Sequence, residues 1–95
     1  MTEELETLRS QIDALDRQIV ELLNERARLG VDAGKAKTLN GKPIEDAKRE
    51  REVLVRVAMA NNGPIPQDAL LALYRKLIET IKRLEELEKS GSKPA

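Results

Sequence analysis

The sequence predicts an all-α fold of three helices, long, short and medium, and three observations carry that prediction. Leu5, Leu8, Ile12, Leu15, Ile19, Leu22, Leu29 and Ala33 recur at alternating three- and four-residue steps, the seam of a helix that packs on other helices. The apolar side chains are almost all Leu, Ile, Val and Ala with two Met, and Tyr74 is the single aromatic residue, a helix-bundle vocabulary. Asn40-Gly41-Lys42-Pro43 and Asn62-Gly63-Pro64 then cut the chain into three stretches.

The spacing predicts a first helix from about Glu3 to Leu39, ended by a glycine able to take a left-handed cap and a proline that bars continuation. A shorter helix follows from about Asp46 to Asn61, with Val53, Leu54, Val57 and Ala58 on its apolar face. The third helix starts near Pro66 to Asp68, where proline suits a first turn, and runs to about Glu88. Leu70, Leu73, Tyr74, Leu77, Ile78, Ile81 and Leu84 form its buried stripe. Residues 1–89 thus read as one domain, and 90–95, rich in Ser, Gly and Pro, as a tail or the beginning of a linker.

A first helix of this length extends roughly 55 Å at 1.5 Å per residue, more than the two shorter helices can cover. A second copy of the chain can cover the rest, and a two-fold homodimer with the long helices together is the simplest such assembly.

Composition excludes several functions. There are 17 basic and 17 acidic residues, interspersed, so no polybasic tract offers itself to nucleic acid or membrane lipid. No apolar run approaches the roughly 20 residues of a membrane span, and the N-terminal segment is acidic rather than signal-like; a cytoplasmic location is expected. Cysteine and histidine are both absent, which removes disulfides, thiolate nucleophiles, Ser-His triads and ordinary zinc sites. The remaining chemistry belongs to Arg, Lys, Asp and Glu.

Several of those charges fall on apolar faces. Arg26 occupies a seam position where leucine is expected, and a guanidinium facing a helix interface is costly unless an anion meets it. Lys37 lies eleven residues further, within about 20° of the same face and roughly 16 Å along the axis. Two long side chains leaning together could hold one small dianion. Arg9 is about 25 Å from Arg26 and turned by roughly 100°, so only an antiparallel partner helix could bring it there. Glu50 shares the face of Val53, Leu54 and Val57, with Arg49 beside it and Asp46 one turn earlier; Glu85 follows Ile78 and Ile81 on the third stripe. Burial there would raise its pKa. Plainer readings stand beside these. Arg26 could snorkel to a glutamate, Asp46 could be an N-cap, Lys37 a dipole partner, Glu50 a partner of Arg26 or Arg49, Glu85 a solvated edge and Arg9 a surface residue.

Over nearly its full length the chain resembles the all-helical class of chorismate mutases. The segments that carry the resemblance are residues 8–16 (Leu-Arg-Ser-Gln-Ile-Asp-Ala-Leu-Asp), Leu22 to Arg26, Gly34-Lys35-Ala36-Lys37, Pro43-Ile44 and Asp46 through Leu54. The resemblance implies rearrangement of chorismate to prephenate, a step toward phenylalanine and tyrosine, in an intertwined two-fold dimer without metal or cofactor. It implies that Arg26 and the partner chain's Arg9 bind the two substrate carboxylates, and that Lys37 binds a carboxylate and the ether oxygen whose bond breaks. Asp46 and Glu50 would meet the ring hydroxyl and its surroundings, and Arg49 would act near the side-chain carboxylate or behind the residues that touch the substrate. Two positions depart from the family pattern. Ile81 stands where many members carry a small polar residue, and Glu85 where glutamine is frequent, so Glu85 must be protonated to donate a hydrogen bond to the ether oxygen.

The stretch from Arg49 through Val53 and the turn Asn61-Asn62-Gly63-Pro64 are also similar to mutase-like domains fused to a 3-deoxy-heptulosonate-phosphate synthase, which would imply a prephenate- or chorismate-sensing role and a fused or associated synthase. Isochorismate pyruvate lyase shares the fold, and a ligand-free dimerisation module is the remaining alternative.

Overall fold

The computed structural model describes residues 2–89 and consists of three helices, α1 (Thr2–Leu39), α2 (Ala47–Ala60) and α3 (Gln67–Lys89). Each lies within a residue or two of its expected place; the expected tail at 90–95 lies outside the described residues.

Local chemistry explains the helix ends. At the C-terminus of α1, Gly41 takes φ 68°, its N–H donates to the Thr38 carbonyl at 3.1 Å and that of Lys42 to the Lys37 carbonyl at 2.8 Å. This paired 5→2 and 6→1 arrangement is a Schellman cap, which needs a left-handed residue at Gly41. Asp46 caps α2, its carboxylate accepting from the Arg49 N–H at 3.0 Å. Asn61 closes the same helix and shapes the following turn, donating to the Ile65 carbonyl and accepting from the Gly63 N–H, both at 3.0 Å.

α3 packs against both α1 and α2, while α1 and α2 make no close backbone approach. Contacts rise in register along α1 and α3, from Arg26 with Tyr74 to Gly30 with Ile81 and Lys35 with Glu88, so these two helices run in the same direction. α2, which lies between them in the chain, packs on α3. The result is a gap between α1 and α2 with α3 as its floor.

Two glycines one turn apart set the α1–α3 approach. A Cβ on Gly30 would collide with the Ile81 Cγ2, and one on Gly34 would lie 2.9 Å from the Glu85 Cγ. Ile81 is 3% exposed and has little room to yield. Gly30→Val is therefore expected to lower Tm by roughly 5–15 °C, because overpacking costs about 1–3 kcal/mol. Thermal denaturation followed by circular dichroism checks this, and an unchanged Tm would contradict the close packing.

A single chain has little interior. Among the described residues Ile81 and Ile44, at 3% and 4% exposure, are the buried apolar side chains. The seam of α1 is open: exposure is 46% at Leu5, 55% at Ile12 and Leu15, and 64% at Leu29. Most of these residues sit on the half of α1 that α2 and α3 do not reach.

Candidate active site

The gap between α1 and α2 is a cleft of about 320 Å³, at the small end of ligand pockets. Arg26, Leu29, Gly30, Ala33 and Lys37 line it from α1; Asp46, Arg49, Glu50 and Val53 from the start of α2; Ile78, Ile81, Lys82 and Glu85 from α3; and Ile44 from the connecting loop. Seven of the eight residues singled out in the sequence therefore share one wall-to-wall space. The eighth, Arg9, does not: it is exposed on the open half of α1, about 25 Å along the axis from Arg26.

Two cations in the cleft have no carboxylate partner among the described residues. Arg26 is half-buried, and its guanidinium lies 5.9 Å from the Tyr74 ring centroid, a cation–π contact rather than an ion pair. The snorkelling pair with a glutamate is thus not formed. Lys37, in the last turn of α1, donates from Nζ to the Ile44 carbonyl at 2.9 Å, which folds the loop back over the cleft. Both ammonium and guanidinium keep donors available for an anion.

The α2 side is more mixed. Asp46 is both the N-cap and part of the lining, so its structural role and a place in the site coexist. Arg49 pairs with Glu52 at 3.7 Å across an exposed face. Glu50 pairs with neither Arg26 nor Arg49, as the plainer reading had it, but with Lys82 of α3 at 3.2 Å. Lys82 also reaches Glu45 at 3.3 Å. The hydrogen bond to Glu50 leads the causes that hold the Lys82 ammonium above its ordinary pKa.

Lys82, Gly30 and the seat of Arg26 on Tyr74 escaped sequence reasoning. The signal for Lys82 was present: Ile78, Ile81, Lys82 and Glu85 follow the 0, 3, 4, 7 spacing of a single helix face. The two glycines four residues apart within α1 were the corresponding sign of a close helix crossing.

Burial pushes the Glu85 carboxyl above its usual range, outweighing the opposing field of Lys37. Glu86 and Glu50 add to the rise, and Lys82 opposes it. Ile81 offers the cleft only hydrocarbon. Four cations facing three carboxylates across an apolar floor suit a small anion with more than one negative group.

A family model described as "Chorismate mutase type II" matches residues 8–86. The chain is 40% identical over 88 residues to a bifunctional chorismate mutase/prephenate dehydratase of Aquifex aeolicus, covering 88% of this chain and 24% of that protein. It is 48% identical over 73 residues to the Escherichia coli K12 protein of the same description, covering 76% and 19%. The chain thus spans about a quarter or less of these curated relatives. Over 96 residues it is 30% identical to a chorismate mutase of Methanocaldococcus jannaschii, covering 98% of this chain and 97% of that one. A solved structure, chorismate mutase form II from Thermus thermophilus, superposes with TM-score 0.84 at 35% identity, covering 87% of this chain and 94% of the other.

Proposed function

Because the chain belongs to the type II chorismate mutase family, we propose that its cleft binds chorismate and converts it to prephenate without a covalent intermediate, metal or cofactor. The observation that carries this reading is the pair Arg26 and Lys37, co-facial on α1, lining the cleft and without a carboxylate partner among the described residues. The reaction breaks one C–O bond while forming one C–C bond within a single dianion, so the protein need only hold a reactive conformer and stabilise charge as it develops. Arg26 takes a carboxylate. Lys37 takes a carboxylate and the ether oxygen, where negative charge grows as the C–O bond lengthens. Asp46 and Glu50 face the ring hydroxyl from the start of α2, and Arg49 stands near the side-chain carboxylate.

The open seam of α1 supports a two-fold dimer, in which the partner's long helix covers that seam and delivers its Arg9 to the cleft as the second carboxylate ligand. A cytoplasmic setting is part of the same reading; no helix among the described residues is long and apolar enough to cross a membrane. The bifunctional relatives described are named for prephenate dehydratase, so fusion to a heptulosonate-phosphate synthase gains no support from them.

Glu85 adds a pH dependence. Its acid form donates to the ether oxygen and its carboxylate repels it. Since burial raises the folded-state pKa above the ordinary 4.5, activity is highest below that raised value and falls as pH climbs through it. Stability follows the same sign: the contribution is full below about 4.5 and is lost as pH rises through the folded value. Purified protein supplied with chorismate is expected to form prephenate, with kcat/KM declining toward alkaline pH and Glu85→Gln flattening that decline. Absence of prephenate would overturn the functional reading. A profile unchanged by Glu85→Gln would overturn only the role of Glu85.

A further inference from the structure

In the cleft α1 and α2 make no close backbone approach, and the start of α2 follows a loop. Something must fix that start relative to the floor, because Asp46, Arg49 and Glu50 all stand on it. Beside the packing of α2 on α3 and the Lys37–Ile44 hydrogen bond, one charged side chain of α3 reaches that start. Lys82 projects from α3 beside Ile81 and lines the cleft, 28% exposed, with Nζ 3.2 Å from the Glu50 carboxylate and 3.3 Å from that of Glu45. Its two partners flank Asp46, one in the connecting loop and one in the first turn of α2.

We propose that Lys82 is a positioning residue of the site, a strap from α3 that holds the first turn of α2 across the cleft and offsets the charge of Glu50 where a dianion must enter. The inference rests on the cleft being the chorismate site. Its physical basis is twofold. A lysine bridging two carboxylates on adjacent segments fixes their separation from the α3 floor, and the partial burial of Lys82 and Glu50, whose side chains are 28% and 31% exposed, spares the pair from full solvent screening. Without Lys82, the uncompensated Glu50 would repel an approaching carboxylate at short range.

The test uses Lys82→Met, Lys82→Gln and Lys82→Arg in the full chain. With chorismate as substrate, the two neutral variants are expected to raise KM by about fivefold or more while kcat changes less, since the lost charge acts on entry and alignment rather than on bond breaking. Lys82→Arg restores most of the KM. In the absence of substrate, hydrogen exchange of the backbone amides at 50–52 is expected to quicken about two- to fivefold in the neutral variants and return toward the wild-type rate in Lys82→Arg. A KM within twofold of wild type, or exchange unchanged in both neutral variants, overturns the proposal. If the wild-type chain forms no prephenate, the functional reading fails, and the exchange measurement still decides the strap.

Discussion

Arg26→Ala is expected to reduce kcat/KM for prephenate formation by about a hundredfold to a thousandfold, the usual cost of removing a charge-assisted donor from a developing or bound anion. The fold should survive, because Arg26 makes no ion pair among the described residues and its contact with Tyr74 at 5.9 Å is worth only about 0.5–1 kcal/mol. Arg26→Lys keeps the charge but loses the planar two-pronged geometry, and should recover only part of the activity. Steady-state kinetics beside a circular-dichroism melt separates the two effects. Activity within about threefold of wild type in Arg26→Ala would remove Arg26 from the site, and with it the main reason for placing a dianion there.

The second large effect concerns Arg9. Arg9→Ala alone is expected to lose activity on a scale similar to Arg26→Ala, although its side chain lies outside the cleft of its own chain. Mixing the two inactive variants after unfolding and refolding them together distinguishes a partner's arginine from a local one. In a mixed dimer, one cleft combines Arg26 of the first chain with Arg9 of the second and is intact, while the other lacks both. Random pairing makes about half of the dimers mixed, so the preparation should recover about a quarter of wild-type activity. Recovery near zero would show that Arg9 does not act across an interface. Analytical ultracentrifugation of the same samples checks that dimers form at all, and an Ile12→Glu, Ile19→Glu double variant should abolish both dimer and turnover by placing charges on the seam.

How far the sequence reveals this molecule depends on the range of the interaction involved. Helix ends were legible because they are local: Gly41, Asp46 and Asn61 announce their caps within three or four residues. The lining was legible wherever a charge broke an apolar period, as with Arg26, Glu50 and Glu85, since the period itself specifies the face. Pairing was not, because it depends on how the helices sit against each other. Glu50 does not meet Arg49, because adjacent residues of a helix do not face each other, and it meets Lys82 rather than Arg26 because α2 leans on α3 and makes no close backbone approach to α1. Arg26 rests on Tyr74 for the same reason: α3 is the helix beside it. The open seam illustrates the complementary case. Its spacing foretold an apolar face, and the structure leaves that face uncovered by the other two helices.

The lack of a close backbone approach between α1 and α2 has a thermodynamic consequence. Two cations on α1 and the capped start of α2 line the same cleft, so a dianion bound there, as the proposed function requires, would become part of the inner layer of the fold. Its binding energy adds to the stability of the native state by mass action, about 2.7 kcal/mol when the free ligand stands at a hundred times its Kd. If the proposed ligand binds there, the ligand-bound chain is expected to resist heat and protease better than the empty one.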